Sequence, residues 1–456
     1  ANVAADAYLA LFALQHRGQE SCGIAVNDGG AIRYRKDLGL VPEVFNSEAL
    51  EKLGKGNIAV GHVRASDSEK PERANAQPLV MRYVKGTLAI GHNGSLVNVS
   101  KIKNELEQGG AIFQTSCDAE LIAYLIARER LTAGSVEQAV VRAMKKLEGA
   151  YSIVLMSPRK LLAARDPMGF RPLCIGELNG QTIFASESCA LDTLGAKFVR
   201  DVRPGEVVVV DENGLRSFTD HCRPKSAMCI FEHVYFARPD SVIHGTSVHI
   251  ARQRAGRSLA KEHPVEADLV MGVPDSGLDA ALGYAMESGI PYGIGFIKNR
   301  YIGRTFIQDS QKLRERSVHI KLNPVSAAVK GKRVVLVDDS IVRGTTSAHI
   351  VELLRGAGAK EVHMRISSPP FLNPCYFGTD IDSRKHLIAC RMSNEEIRRQ
   401  IGADSLGYLS LAGLREMVHD SDCGFCDACF TGDYPVDVPQ EKKTDKFDQK
   451  ISQQRG

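Results

Sequence analysis

Three groups of residues in this chain have the types and spacing to do chemistry. In the first, four apolar residues, Val334 to Val337, are followed by paired acids, Asp338 and Asp339, and then by Gly344-Thr345-Thr346. Carboxylates accept hydrogen bonds from sugar hydroxyls, whereas backbone N–H groups at the start of a helix, with threonine hydroxyls beside them, donate to a phosphate. The expected ligand therefore carries both a phosphate and hydroxyls. No Gly-Lys-Ser/Thr follows, so this is not a Walker loop. The second group is a set of polar, glycine-punctuated clusters: Gln15–Ser21, Gly61–Arg64, Asn75–Leu79 and His92–Asn98. The third is Cys423, Cys426 and Cys429, two overlapping C-x-x-C units whose thiolates can reach one metal centre. Zinc, an iron–sulfur cluster and a reactive dithiol all suit that spacing.

These groups need elements to position them. Val334–Val337 reads as a strand buried on both faces, as inside a parallel sheet, and Ser347–Leu354 as an amphipathic helix after it. Ligands in open α/β sheets sit outside the carboxyl ends of the strands. Leu269–Val273 is a second short buried strand, ending in Pro274-Asp275-Ser276-Gly277, where small residues let backbone approach a ligand. The stretch Lys298–Lys321 is basic, punctuated by glycine and poorly periodic, which predicts either a mobile loop or a solvated face. Towards the start, Ala7, Leu11 and Leu14 recur at helical spacing. Leu88–Ile90 and Gly205–Asp211 read as strands, and a boundary falls near His221–Lys225.

Composition sets the limits. A chain of 456 residues, 43% hydrophobic and 25% charged, has core enough for two or three domains and is not disordered as a whole. The net charge of +4 is small and the basic residues are scattered, which argues against a nucleic-acid surface. Apolar runs fall far short of the roughly 20 residues of a membrane span, and no signal peptide opens the chain, so the expectation is a cytoplasmic protein. Eleven cysteines do not suit a secreted disulfide framework. Cys22, Cys117, Cys174, Cys189, Cys222 and Cys390 read as small buried hydrophobes. Residues 440–456 read as a disordered tail.

The clusters Gln15–Ser21, Gly61–Arg64, Asn75–Leu79, His92–Asn98, Thr115–Ile122, Arg165–Leu173 and Ala185–Ser188 resemble the glutamine amidotransferase domain of the N-terminal-nucleophile class. The Val334–Thr346 stretch resembles the phosphoribosyl pyrophosphate (PRPP) motif of type I phosphoribosyltransferases. Together they resemble one family, the glutamine PRPP amidotransferases of purine synthesis. The resemblance implies an α/β and α+β protein: an αββα sandwich over 1–220, a type I phosphoribosyltransferase domain with a parallel sheet over 221–435, and a polar tail over 436–456. It implies Arg64 on the glutamine carboxylate, Asp118 on its ammonium, and Asn93 with Gly94 as the oxyanion hole. PRPP would meet Asp275, Ser276 and Gly277 at the pyrophosphate, Asp338 and Asp339 at the ribose, and Gly344, Thr345 and Thr346 at the 5-phosphate. Tyr301 and Arg304 would come from a lid. Mg²⁺ would use Ser276, Asp338 and Asp339. In one branch of the family a [4Fe-4S] cluster has ligands matching Cys229, Cys375, Cys426 and Cys429, which leaves Cys423 spare. The family also implies a homotetramer inhibited by purine nucleotides, with no nucleic-acid or membrane partner.

The sequence departs from the family in three places. It opens at Ala1, ahead of which the family carries a strand with an N-terminal cysteine whose own α-amine acts as base. Ala65, Ser66 and Asp67 replace an aromatic, a small residue and a threonine, and Asp309 stands where relatives have proline. Two expectations stay open: leading residues lie outside this sequence, or the glutaminase half has decayed and ammonia alone is used. A PRPP-sensing regulator without turnover is the reading from another class.

Overall fold

The computed structural model describes residues 2–65, 72–300, 322–379, 381 and 383–439. Antiparallel sheets come first. Strands β1 (Ser21–Asp28) and β2 (Ala31–Leu38) form a hairpin about Gly29 and Gly30, both at positive φ, where a side chain would be strained. Strand β3 (Ile58–Arg64) pairs with the other edge of β1. Next come β4 (Leu79–Tyr83), β5 (Gly86–Asn93), β6 (Ser152–Ser157) and β7 (Lys160–Arg165). Then follow β8 (Cys174–Leu178), β9 (Gln181–Ala185), β10 (Lys197–Asp201), β11 (Val207–Asp211) and β12 (Gly214–Phe218). They assemble as β2-β1-β3, β10-β8-β9 and a six-stranded β12-β11-β7-β6-β5-β4.

Apolar alternation explains the layering. Ala25, Val60, Ala89 and Met156 interleave between the small and large sheets. The helix Val3–Ala13 covers both small sheets: Leu11 packs with Cys22 and Ile24, and Ala13 packs with Ala185 and Leu191. The helices Asp118–Arg130 and Val136–Met144 cover the large sheet. Helix, sheet, sheet, helix is the expected αββα order.

In the second half β13 (Met228–Cys229) is followed by a small hairpin, β14 (Val242–Ile243) and β15 (Thr246–Ser247). Then come β16 (Leu269–Gly272), β17 (Phe296–Lys298), β18 (Leu322–Pro324), β19 (Arg333–Asp338), β20 (Glu361–Ile366), β21 (Ser405–Tyr408) and β22 (Phe425–Cys426). Strands β16-β19-β20-β21 form an all-parallel sheet in that order, with helical crossovers Leu278–Ser288, Thr345–Gly356 and Asn394–Ile401. Val334–Val337 is fully buried, as its unbroken apolar run requires. The helices Val248–Glu262 and Leu278–Ser288 touch through glycine; a β-carbon at Gly256 would lie 1.9 Å from the Ala280 carbonyl.

Several expectations need correction. The helix placed over Ser347–Leu354 runs from Thr345 to Gly356, so Thr345 and Thr346 are its first turn. Cys222 is only half-buried and Cys390 is exposed at the end of a single 3-10 turn, its thiol donating to the Leu372 carbonyl at 3.2 Å. Val436 and Val438, half-buried, pack against the cluster that holds Phe377 and Cys426, so the start of the chain assigned to the tail lies against the core. Residues 440–456 lie outside the described residues.

Candidate functional site

The phosphate-and-hydroxyl site lies at the carboxyl edge of the parallel sheet. Asp338 ends β19 and Asp339 follows, only 8% and 7% exposed. The Asp339 carboxylate accepts from Ser276 Oγ and Ser340 Oγ, each at 2.5 Å, while its N–H donates to Asp338 Oδ1 at 2.9 Å. Burial, and then the neighbouring Asp339 charge, push Asp338 well above the usual carboxylate range. Two close carboxylates in this setting gain from a cation or from hydroxyl donors. Ser276 reaches them because β16 and β19 are register neighbours, Gly272 beside Val337, and the loop crosses tightly: a β-carbon on Gly277 would lie 2.4 Å from the Val337 carbonyl.

Gly344, at φ +83°, starts the helix Thr345–Gly356, whose first-turn N–H groups lack intrahelical partners. Asp275 is exposed and pairs with Lys298, Nζ to Oδ2 2.5 Å. Ser276, Asp338 and Asp339 are thus brought together as the sequence implied. Tyr301 and Arg304 lie outside the described residues, as do Ser66, Asp67 and Asp309. Burial, and then the Asp339 and Asp338 charges, push the Tyr235 hydroxyl up.

The second site is a cavity of about 1670 Å³ between the two layers of sheet, and Arg64, Asn93, Gly94 and Asp118 all line it. Arg64 ends β3, with Nε 3.5 Å from the Glu20 carboxylate. Asn93 ends β5, and Gly94 follows at φ +133°, where a β-carbon would meet the Ala150 carbonyl at 2.3 Å. Asp118 opens the helix Asp118–Arg130 and accepts from the Leu96 N–H at 2.8 Å, which ties it to the turn that carries Gly94. The loop before it is locked by reciprocal Asn75 and Ser116 bonds of 2.9 and 3.0 Å.

The same cavity runs on between β3 and β9, lined by Ile58–Ala65 on one side and Gln181–Ser186 on the other, with Val154 and Leu161 of the large sheet also lining it. Each of those strands is the last of its sheet among the described residues. Cys22 faces none of this; it is fully buried, and burial pushes its thiol up to about 12.

With both sites placed, comparison with known proteins is informative. The glutamine amidotransferase domain profile matches residues 62–193 and the phosphoribosyl transferase domain profile matches residues 247–367. An amidophosphoribosyltransferase of Archaeoglobus fulgidus is 51% identical over 438 residues, covering 96% of this chain and 95% of that protein. One from Bacillus subtilis is 48% identical over 95% of this chain and 92% of that protein. The chain belongs to the amidophosphoribosyltransferase family. A solved member, the glutamine PRPP amidotransferase of B. subtilis complexed with ADP and GMP, superposes with a TM-score of 0.90 at 47% identity, covering 96% of each chain.

Amidophosphoribosyltransferase membership does not by itself place the four cysteines matched to a cluster; the fold does. Strands β13 and β22 pair in parallel with Cys229 opposite Cys426. Leu372 and Asn373 donate to the Cys429 carbonyl at 3.0 and 3.1 Å, which brings the Cys375 loop alongside. Burial first, and then one another's charge, push Cys426 and Cys429 well up, and Cys229 up to about 11. Cys423 stands apart, its sulfur within 4.8 Å of ligand atoms of His244 and Asp422. Arg165 donates to His244 Nε2 at 2.8 Å, so the imidazole proton sits on Nδ1 and goes to Asp422 at 2.7 Å. That arrangement closes both ring nitrogens.

Sequence reasoning also missed a buried ion network between the halves. Arg17 bonds Glu187 and Glu232, each at 2.5 Å, and Arg171 bonds Glu232 at 2.8 Å. Burial opposes ionisation of Glu187, yet Arg17 and His16 hold it below the usual carboxylate range. Arg17 and Arg171 both line the cavity that Arg64, Asn93, Gly94 and Asp118 share. The signal was present, since both arginines stand inside the clusters Gln15–Ser21 and Arg165–Leu173, but nothing local says which acids they meet.

Proposed function

We propose that this chain makes 5-phosphoribosylamine, pyrophosphate and glutamate from PRPP, glutamine and water, the first committed step of purine synthesis, in two domains over 1–220 and 221–435. One observation carries the reading: Arg64, Asn93, Gly94 and Asp118 line one cavity in the chain whose Ser276, Asp338 and Asp339 close on one another at a phosphate turn. In the glutamine site Arg64 holds the α-carboxylate, Asp118 the α-ammonium, and Asn93 with the Gly94 N–H the oxyanion. In the phosphoribosyl site Asp338 and Asp339 hold ribose hydroxyls, Gly344–Thr346 the 5-phosphate and Asp275–Gly277 the pyrophosphate. Tyr301 and Arg304 join from the lid. Ser276, Asp338 and Asp339 suit Mg²⁺, which would neutralise the departing pyrophosphate. Ammonia then attacks C1 without any protein nucleophile.

Cys229, Cys375, Cys426 and Cys429 suit a [4Fe-4S] group, the ligand set that one branch of the family carries. Cys229 lies opposite Cys426 across β13 and β22, and the chain leading to Cys375 bonds the Cys429 carbonyl, so four thiols from three segments converge. The group would be structural. Homotetramer assembly and inhibition by purine nucleotides complete the reading; the B. subtilis relative was solved with ADP and GMP. No helix among the described residues is long and apolar enough to cross a membrane.

The second reading, transfer of ammonia alone, draws on Ala65, which lines the cavity where the family carries an aromatic residue. The test is PRPP-dependent pyrophosphate release by anaerobically purified protein, with ammonium and glutamine supplied separately. Release with both supports the full reaction. Release with ammonium alone supports the second reading, and release with neither sinks both.

A further inference from the structure

The segment Cys375–Thr379 runs from the cysteine quartet to the oxyanion turn. At one end the Phe377 N–H donates to Cys375 Sγ at 3.4 Å. The Phe377 carbonyl then accepts from Arg171 Nε at 3.2 Å, and Thr379 Oγ1 accepts from the same guanidinium at 3.4 Å. At the other end Gly378, at φ +103°, lies directly on Gly94: a β-carbon there would sit 3.2 Å from the Gly94 carbonyl carbon and 3.1 Å from Arg171 Nη2. Gly94 is pressed from its own side by the Ala150 carbonyl. It is therefore clamped between the loop that leads into β6 and the cysteine segment.

A second set of contacts makes the same connection. The Cys229 N–H donates to the Phe170 carbonyl at 3.0 Å, one residue before Arg171. The rings of Phe170 and Phe377 stack with centroids 4.1 Å apart. Ala150, Phe170, Phe377 and Cys426 belong to one buried apolar cluster, so the residue that presses on Gly94 and a quartet cysteine share a core. Packed interiors transmit such displacements because they have little free space to absorb them.

We propose that the cysteine quartet positions the glutamine site: an iron–sulfur group on Cys229, Cys375, Cys426 and Cys429 fixes the 375–379 segment, and Gly378 and Arg171 pass that constraint to Gly94. The inference rests on the readings of quartet and glutamine site given above. Gly378 and Arg171 are positioning residues here; neither is placed on the reacting atoms. An oxyanion donor must be held to a fraction of an ångström, and a displacement of about 1 Å costs on the order of a hundredfold in rate. A metal group anchored away from the substrate can supply that rigidity without taking part in the chemistry.

The test is amide hydrogen exchange on the full chain, comparing the iron-loaded protein with chelator-stripped protein and with the variants Cys375→Ser and Gly378→Ala. Exchange over residues 90–98 is expected to rise about tenfold on iron removal and in both variants, while residues 338–346 stay unchanged. Unchanged exchange over 90–98, with loss of iron verified by metal content and by the visible absorbance, overturns the proposal alone. Equal loosening over 338–346 overturns it too, because that is general destabilisation. A chain that takes up no iron on reconstitution removes the proposal together with the cluster reading. Glutamine affinity, measured by calorimetry on the same samples, separates the other reading: exchange that responds in a protein that binds no glutamine retires the glutamine site and keeps the mechanical link.

Discussion

The two sites are built in opposite ways. The proposed phosphoribosyl site draws its acid pair and phosphate turn from one continuous stretch, since one strand, one turn and one helix, Arg333 to Gly356, supply Asp338, Asp339 and Gly344, and Ser276 joins from the register neighbour. The proposed glutamine site takes Arg64 from the end of β3, Asn93 from the end of β5 and Asp118 from the start of a helix. Arg171, Phe236, Gly378 and Thr379 then line it from far along the chain. A site carried by one segment holds its geometry through that segment's own backbone bonds. A site assembled from many segments depends on every contact that holds them together, including contacts in the other half.

The contrast can be broken or sharpened by substitution. The largest effect is expected at Glu232, fully buried between Arg17 and Arg171. Glu232→Gln leaves two buried guanidinium groups undercompensated and should cost about 3–5 kcal/mol of stability by chemical denaturation. A cost below about 1 kcal/mol would mean that water already reaches the junction. Next comes Asp339→Asn. Ammonium-supported pyrophosphate release should fall about a hundredfold, from lost charge-assisted bonds worth about 1.5–3 kcal/mol. Its thermal stability should hold or rise, because the Asp338–Asp339 repulsion is relieved. A parallel loss of glutamine binding would show that the two sites are less separate than their construction suggests.

Arg64→Lys exchanges a planar fork for a point charge and should weaken glutamine binding about tenfold, with ammonium-supported turnover intact. The smallest effect concerns pH. Both ring nitrogens of His233 are buried without a hydrogen-bond partner, its ring edge-on to Phe425, and burial pushes its pKa down to about 4. An unfolded histidine takes its proton near pH 6.5. Between about pH 6.5 and about 4 the unfolded chain therefore binds more protons, and stability falls as pH drops through that window. His92, also lowered to about 4 by burial, acts in the same direction. His233→Phe should gain about 1 kcal/mol more over the parent at about pH 5.5 than at about pH 7, read by thermal unfolding. An identical gap at both values would place the acid-sensitive group elsewhere.

Much of the phosphoribosyl half was legible because its chemistry and its geometry are contiguous. Four apolar residues bounded by an acid pair and a glycine turn read as a doubly buried strand, and a ligand with both hydroxyls and a phosphate accounts for the acids and the turn together. The glutamine residues were legible through resemblance, yet their surroundings were not. Nothing local to Arg171 indicates Glu232, and nothing in Phe377-Gly378-Thr379 indicates Gly94. Cys390 failed for the converse reason: composition says a free cysteine is usually buried, but a single 3-10 turn leaves this one at the surface.

The sequence alone determined many of the element types, which follow from periods of two to four residues, and the likeness of its motifs to one family, which named the groups proposed to meet phosphate, hydroxyl and amide. Only the tertiary structure decided that Ser276 bonds Asp339, that Arg17 and Arg171 share Glu232, and that Gly378 presses on Gly94. Such pairings join segments far apart in the chain, where no periodicity operates and only close packing selects the partner.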